Sequence, residues 1–202
     1  MLKSGLTVKV AGEDSLADYA SIPMEFTVNS VLDVVGRPGF PGGFSLREMP
    51  VKAPWVKDYR PATGESRQQE LTRFCCEHNH AYFLALLDDR PVGAATGIRF
   101  CEDAEYYCLL GGSRDTAILH DIRVHPDYAR QGVGTLLFGA FRDWAVEQRL
   151  GLLKIETQNI NVPACRFYAN MGAYLGGVQQ HAYPEFPDEV QLLWFVEIWG
   201  RM

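Results

Sequence analysis

Apolar and polar positions along the chain follow two periods, and the places where one gives way to the other predict the elements. Thr7 to Val10 alternates polar and apolar residues as a strand does, and Glu13, Asp14 and Ser15 then supply a helix-start signal ahead of Leu16 and Tyr19. Phe26 to Val35 is a β-rich run closed by the turn cluster GRPGFPGG, after which FSLREMPV reads as its hairpin partner. The stretch KAPWVKDYRPATGES reads as loop, and Ser66 to His80, with Leu71, Phe74 and Cys75 at helical spacing, reads as a helix. Two strands follow, Ala81 to Leu87 and Val92 to Phe100, joined by a tight turn over Asp88, Asp89, Arg90 and Pro91. Thr116 to Val124 is another strand. Gly132 opens an amphipathic helix reaching about Gln148, then come a strand from Leu152 to Thr157 and a short helix from Pro163 to Met171 ending at Gly172. Ala173 to Val178 and Gln191 to Trp199 complete the set as strands. This order, without repeat or linker, predicts a mixed α/β sheet flanked by helices in a single domain over 1–202.

Composition narrows the partners. A chain of 202 residues that is 47% hydrophobic can bury one sizeable core, and its formal charge of -6 with no Lys/Arg run disfavours a nucleic-acid partner. Cationic or neutral substrates suit it better. No secretory core and no run of about 18 apolar residues is present, so the expectation is a cytoplasmic protein without a membrane partner. Five cysteines, an odd count without CxxC spacing, suit reduced thiols. Cys75, His78 and His80 cluster in sequence without a zinc spacing or a fourth ligand, so no metal is expected.

The segment that carries chemistry is ILHDIRVHPDYARQGVGTLLFGAFRDWA. A strand ends at Pro126, the chain crosses a polar turn, and a helix begins through Arg130, Gln131, Gly132, Val133, Gly134 and Thr135. Glycines at 132 and 134 let backbone approach a ligand closely, and first-turn N–H groups without intrahelical partners can hold a pyrophosphate. Two commoner phosphate motifs are excluded: the dinucleotide fingerprint wants a glycine where Leu137 stands, and the P-loop signature is absent.

What remains resembles the coenzyme A loop of the GNAT superfamily, which follows a strand ending in Val-x-Pro, here Val124-His125-Pro126. The loop departs from the family pattern in having Ala129 where Arg or Gln is usual. The resemblance continues through Asn159 to Asn161, Ala164-Cys165-Arg166-Phe167-Tyr168 and Met171-Gly172-Ala173-Tyr174. It implies an N-acetyltransferase fold whose strand splays at an acetyl-CoA cleft, with acetyl-CoA as cosubstrate. Backbone groups of Ile122 and Val124 and the side chain of Asn161 would meet the pantetheine arm, and Tyr168 would be the general acid toward the leaving thiolate. A strand N–H would face the acetyl oxygen. The substrate-side segment would be about 1–65, with the hairpin in it, and the acetyl-CoA core about 66–202. At a finer level KIETQNINVPACRFYANMG, the region from Gly176 to Trp199 and the upstream KAPWVKDY are similar to the streptothricin acetyltransferase group. Members of that group acetylate an amino group on the β-lysine portion of streptothricin antibiotics.

The acceptor amine needs a proton removed, because an alkylammonium near pKa 10.4 is about 0.04% neutral at pH 7, a cost of roughly 4–5 kcal/mol. Asp121 and Glu156, both on predicted strands, are the candidate carboxylates, Asp121 nearer the acceptor and Glu156 nearer the proton route. Their alternative is a strand carboxylate paired with Arg or Lys. His120 and His181 are weaker candidates. Cys165, near a helix start, is a rival nucleophile, but direct attack is the simpler chemistry. Three functions stay open: a small-molecule amine acetyltransferase, a noncatalytic acetyl-CoA-binding module, and a protein or peptide N-acetyltransferase. A small-molecule amine is the expected partner, with homodimerisation left open.

Overall fold

The computed structural model describes residues 5–36, 43–59, 79–99 and 114–198. Strands β1 (Leu6–Ala11), β2 (Glu25–Gly36), β3 (Phe44–Asp58), β4 (His80–Leu87), β5 (Arg90–Arg99), β6 (Thr116–Val124), β7 (Leu152–Gln158), β8 (Tyr174–Gln179) and β9 (Gln191–Glu197) alternate with helices α1 (Leu16–Ala20), α2 (Val133–Glu147) and α3 (Val162–Asn170). In hydrogen-bonded order the larger sheet is β1-β4-β5-β6-β7-β9-β8, and β2 pairs with β3 in a ribbon of its own. The architecture is the mixed α/β class expected from the sequence. Contacts group the chain into two compact units: Met1–Met24 with Tyr59–Lys154 and Val196–Met202, and Glu25–Asp58 with Ile155–Phe195.

In the first unit β5 is buried on both faces from Val92 to Ile98, so it reads as a continuous apolar run. The β4–β5 hairpin turns on Asp88 and Asp89, both at positive φ (49° and 63°), a pair that matches the twist of the flanking strands. Arg90, read as part of the turn, already pairs with Leu87. Helix α2 buries Val133, Leu137, Phe138, Phe141 and Ala145, one face at helical spacing, and truncating a buried aromatic such as Phe141 to Ala costs about 3–5 kcal/mol. Two glycines of β5 let that helix approach. A Cβ on Gly93 would lie 2.7 Å from Val133 Cγ1, and one on Gly97 would lie 2.7 Å from the Phe141 ring. Gly93 therefore sets how closely the first turn of α2 sits on the sheet.

The second unit holds the β2–β3 ribbon, most of β7 and β9, α3 and β8. Here the expectation of loop from Lys52 onward is corrected, because β3 runs on to Asp58. The ladder shifts register between Val28 and Ser30, so the residues between Pro50 and Trp55, Pro54 among them, bulge past the opposing strand. A proline is tolerated where no ladder N–H is required. Buried Asn159 ties the ribbon down: its backbone exchanges with Leu32 N and Val190 O at 2.9 Å each, and its side-chain NH2 donates to Leu32 O at 2.9 Å. Of the helix expected over Ser66 to His80, only Asn79 and His80 lie within the described residues, and His80 opens β4 instead.

Candidate functional site

The loop between β6 and α2 is held by its own backbone. His125 N donates to Val92 O at 2.9 Å, Tyr128 N to His125 O at 2.9 Å, Ala129 N to Pro126 O at 3.1 Å, and Gln131 Nε2 to Asp127 O at 2.9 Å. The chain then passes through two left-handed residues, Arg130 (φ 59°) and Gly132 (φ 87°), and enters the helix. For arginine that conformation costs about 1–2 kcal/mol, and an outlier of this kind is a reason to look for function at the position. Gly132 is the N-cap of α2, brings no capping side chain, and no acidic residue occupies the first turn. The amides of Val133, Gly134 and Thr135 thus sit at a helix start whose dipole favours an anion. This is a fit for a pyrophosphate. Ala129 at the loop's first position takes its place through its backbone N–H, so the departure in side chain leaves the turn intact.

Ile122 and Val124 occupy the end of β6, opposite Ala95 and Gly93 of β5. The ladder shifts between Thr96 and Gly97, which face Asp121 and Leu119, and leaves His120 as the extra residue of a bulge. Asp121 is engaged on several sides. Its Oδ2 accepts from Tyr19 Oη at 2.6 Å, from Arg123 Nε at 2.8 Å and from Arg123 Nη2. Because the Tyr19 hydroxyl gives its proton to Asp121, Thr96 Oγ1 at 2.7 Å is the donor to Tyr19. Arg123 Nη1 reaches Ile22 O at 3.2 Å, so one guanidinium joins the strand to the chain leaving α1. Burial, with the Asp121 charge next, pushes the Tyr19 hydroxyl well above its usual range and keeps it a donor. Tyr19, Thr96 and Arg123 were missed in the sequence, although Arg123 stands two residues from Asp121, the same-face spacing of a strand.

In the second unit Glu156 of β7 accepts from the Tyr183 hydroxyl at Oε1. Burial raises its pKa, the bonds from Tyr183 and Gln191 lower it, and the nearby charge of Glu189 raises it. Asn161 is the N-cap of α3, its Oδ1 accepting from Ala164 N at 3.2 Å, and its side-chain NH2 is the group it can offer a ligand carbonyl. Tyr168 lies buried on the face of α3 that also buries Val162 and Cys165. Burial pushes the Cys165 thiol up to about 12, so it stays protonated near neutral pH and the helix start does not make it a nucleophile. His181 is exposed at positive φ (60°), and its side chain lies on the surface. Among the described residues no group of three His, Cys, Asp or Glu could hold a metal ion. Cys75 and His78 lie outside the described residues.

Comparison with known proteins places this geometry. A family model described as the acetyltransferase (GNAT) family matches residues 52–173, a stretch that contains the loop, Asn161 and Tyr168. Streptothricin acetyltransferase A of Bacillus subtilis (strain 168) is 40% identical over 39% of this chain, and the chain spans 47% of that relative, about half its length. The crystal structure of a nourseothricin acetyltransferase superposes with a TM-score of 0.74 at 22% identity, covering 96% of this chain and 99% of that one. A Bacillus anthracis str. Ames protein described as a streptothricin acetyltransferase, solved in complex with acetyl coenzyme A, gives a TM-score of 0.72 at 23% identity over 96% of this chain and 97% of its own. At these identities the two structures establish the fold. With the family model matching more than half of its length, the chain belongs to the GNAT acetyltransferase family.

Proposed function

We propose that this chain is an acetyl-CoA-dependent N-acetyltransferase acting on a primary amine of a small molecule, of the kind found in streptothricin antibiotics. The observation that carries the reading is the start of α2, uncapped by any side chain, inside a stretch that matches the GNAT family. Acetyl-CoA, when bound, supplies a thioester whose acyl carbon an uncharged amine attacks, with the sulfur as leaving group.

The chain's own residues have separable tasks. Arg130 to Thr135 hold the pyrophosphate, mainly through backbone N–H groups, and the backbone of Ile122 and Val124 with the NH2 of Asn161 holds the pantetheine arm. Glu156 accepts the proton of the incoming ammonium, a task suited to a carboxyl whose proton affinity is raised. Asp121, already facing Arg123, contributes charge to the acceptor side. Tyr168 gives its hydroxyl proton to the departing sulfur. The relatives named for antibiotic acetylation support the acceptor class, and no described helix is long and apolar enough to cross a membrane. We read the whole of 1–202 as one acetyltransferase working in the cytoplasm, without nucleic acid.

Calorimetry of acetyl-CoA against Gly134→Asp tests the loop. Aspartate in a helix's first turn suits the helix dipole, so the variant folds, yet its charge occupies the anion position and affinity falls about a hundredfold. Unchanged affinity removes the loop from the site. Tyr168→Phe lowers turnover about tenfold or more while sparing acetyl-CoA affinity, and equal turnover ends that role. Acetyl transfer assayed across aminated antibiotics, polyamines and peptides decides the acceptor class.

A further inference from the structure

The segment between β8 and β9 carries buried polar groups that the proposed function leaves unused. Tyr183 donates to Glu156 Oε1. Lys57 Nζ lies 2.6 Å from Glu189 Oε1, with each side chain 11% exposed, and 3.4 Å from the centroid of the Phe186 ring. Val190 N donates to Asn159 Oδ1 at 2.8 Å. The segment is therefore fastened at three points, to Glu156 on β7, to Lys57 on β3 and to Asn159, and the first of these ends on the carboxylate assigned to proton acceptance.

We propose that Tyr183 is the positioning residue of Glu156: its hydroxyl fixes Oε1 and the rotation of the carboxyl plane, while the Lys57–Glu189 pair sets the charge beside it. The role rests on the reading of Glu156 as proton acceptor. The groups that bear on this carboxyl are Tyr183 and Glu189 from the segment, Gln191 from β9, and Lys57 through Glu189. A hydroxyl donor favours the ionised carboxyl, and a second carboxylate disfavours it, so the two act in opposite directions. Lys57 restrains the second effect by pairing with Glu189. A carboxyl held between them has its proton affinity raised while the hydroxyl still favours the ionised form that can accept a proton.

Opposite directions make the role testable apart from any effect on folding. The δ-carbon resonance of Glu156, assigned by its loss in Glu156→Gln, is titrated in the full-length protein without substrate, and the pH profile of kcat/KM is recorded with a verified amine. Tyr183→Phe keeps the ring and deletes the hydroxyl; the Glu156 midpoint then moves up, the acid limb of kcat/KM moves up with it, and activity lost near neutral pH returns at alkaline pH. Glu189→Gln moves both down. Should that variant fold poorly because Lys57 loses its partner, Lys57→Met with Glu189→Gln removes both charges and still moves the midpoint down. A midpoint that stays or falls in Tyr183→Phe overturns the positioning role, whatever happens to activity. An acid limb that persists in Glu156→Gln overturns the proton-acceptor reading alone, because the carbon titration of Tyr183→Phe is independent of catalysis.

Discussion

Asp121 and Glu156 are both half-buried carboxylates on strands, each hydrogen-bonded by a tyrosine, yet their surroundings differ in the sign of the neighbouring charge. Asp121 meets the guanidinium of Arg123, which binds its Oδ2 through two nitrogens. For Glu156 the charged neighbour is another carboxylate, Glu189, and burial is the larger influence on its proton. A carboxylate on a strand gains its chemical character from what crosses over to meet it. On the proposed roles, one stays paired and carries charge, and the other exchanges a proton.

Arg123 is where the two surroundings differ most, and where substitution has its largest effect. Arg123→Met leaves the Asp121 carboxylate, 12% exposed, without its cation and strips Ile22 O of a donor, and breaking a buried pair of this sort costs about 3–5 kcal/mol. Urea or thermal melts of the variant measure the loss. Asp121→Leu combined with Arg123→Met recovers much of it, because Tyr19 and Thr96 still hydrogen-bond each other. A single variant as stable as the parent would mean that the pair is not what holds α1 to the strands.

Sequence pattern carried the fold further than it carried the side-chain networks, and the reason is physical. Periodicity reads burial along one element, so β6, α2, β7 and α3 were legible within a residue or two, and Gly132 marked the helix start, where the structure has φ 87°. The second half of β3 was missed because Pro54 argues against a strand, and only the bulge around it makes the strand tolerable. Alternation on β6 also fails at His120, where the bulge resets which face each side chain takes. Tyr183 had no signal at all: it sits in a polar, proline-rich stretch whose only relation to Glu156 is contact in the fold.

Amide replacement sharpens the comparison through kinetics. On the proposed roles, Glu156→Gln removes the proton acceptor and lowers kcat about a hundredfold or more, whereas Asp121→Asn keeps approximate shape but takes the anion from Arg123, so beyond its cost in stability it mainly raises KM by weakening attraction for the ammonium. Initial rates across substrate concentration and pH separate the two, once melts have verified each fold. Equal effects on kcat would erase the distinction between the carboxylates, and no effect from either would return both to ordinary strand carboxylates with hydrogen-bonded partners.

The smallest effect expected is in the pH dependence of stability, and its sign is opposite to that of most acidic groups. Folding raises the proton affinity of Glu156, with burial the leading cause, so across the range between the unfolded value near 4.3 and the folded midpoint the native state binds more protons than the unfolded chain. Stability contributed by this group is therefore greatest below that range, falls as pH rises through the folded midpoint, and levels off above it. Other titrating groups contribute too, but they cancel in the difference between the wild type and Glu156→Gln. That difference curve, from urea melts at a series of pH values, should slope downward across the range and then flatten. In Tyr183→Phe the hydroxyl no longer favours the ionised carboxyl, so the descent against the same Gln background should be deeper and end at higher pH. A curve that rises with pH instead would mean that Glu156 is stabilised as an anion in the fold, like a carboxylate beside a cation, and the contrast between the two carboxylates would be lost.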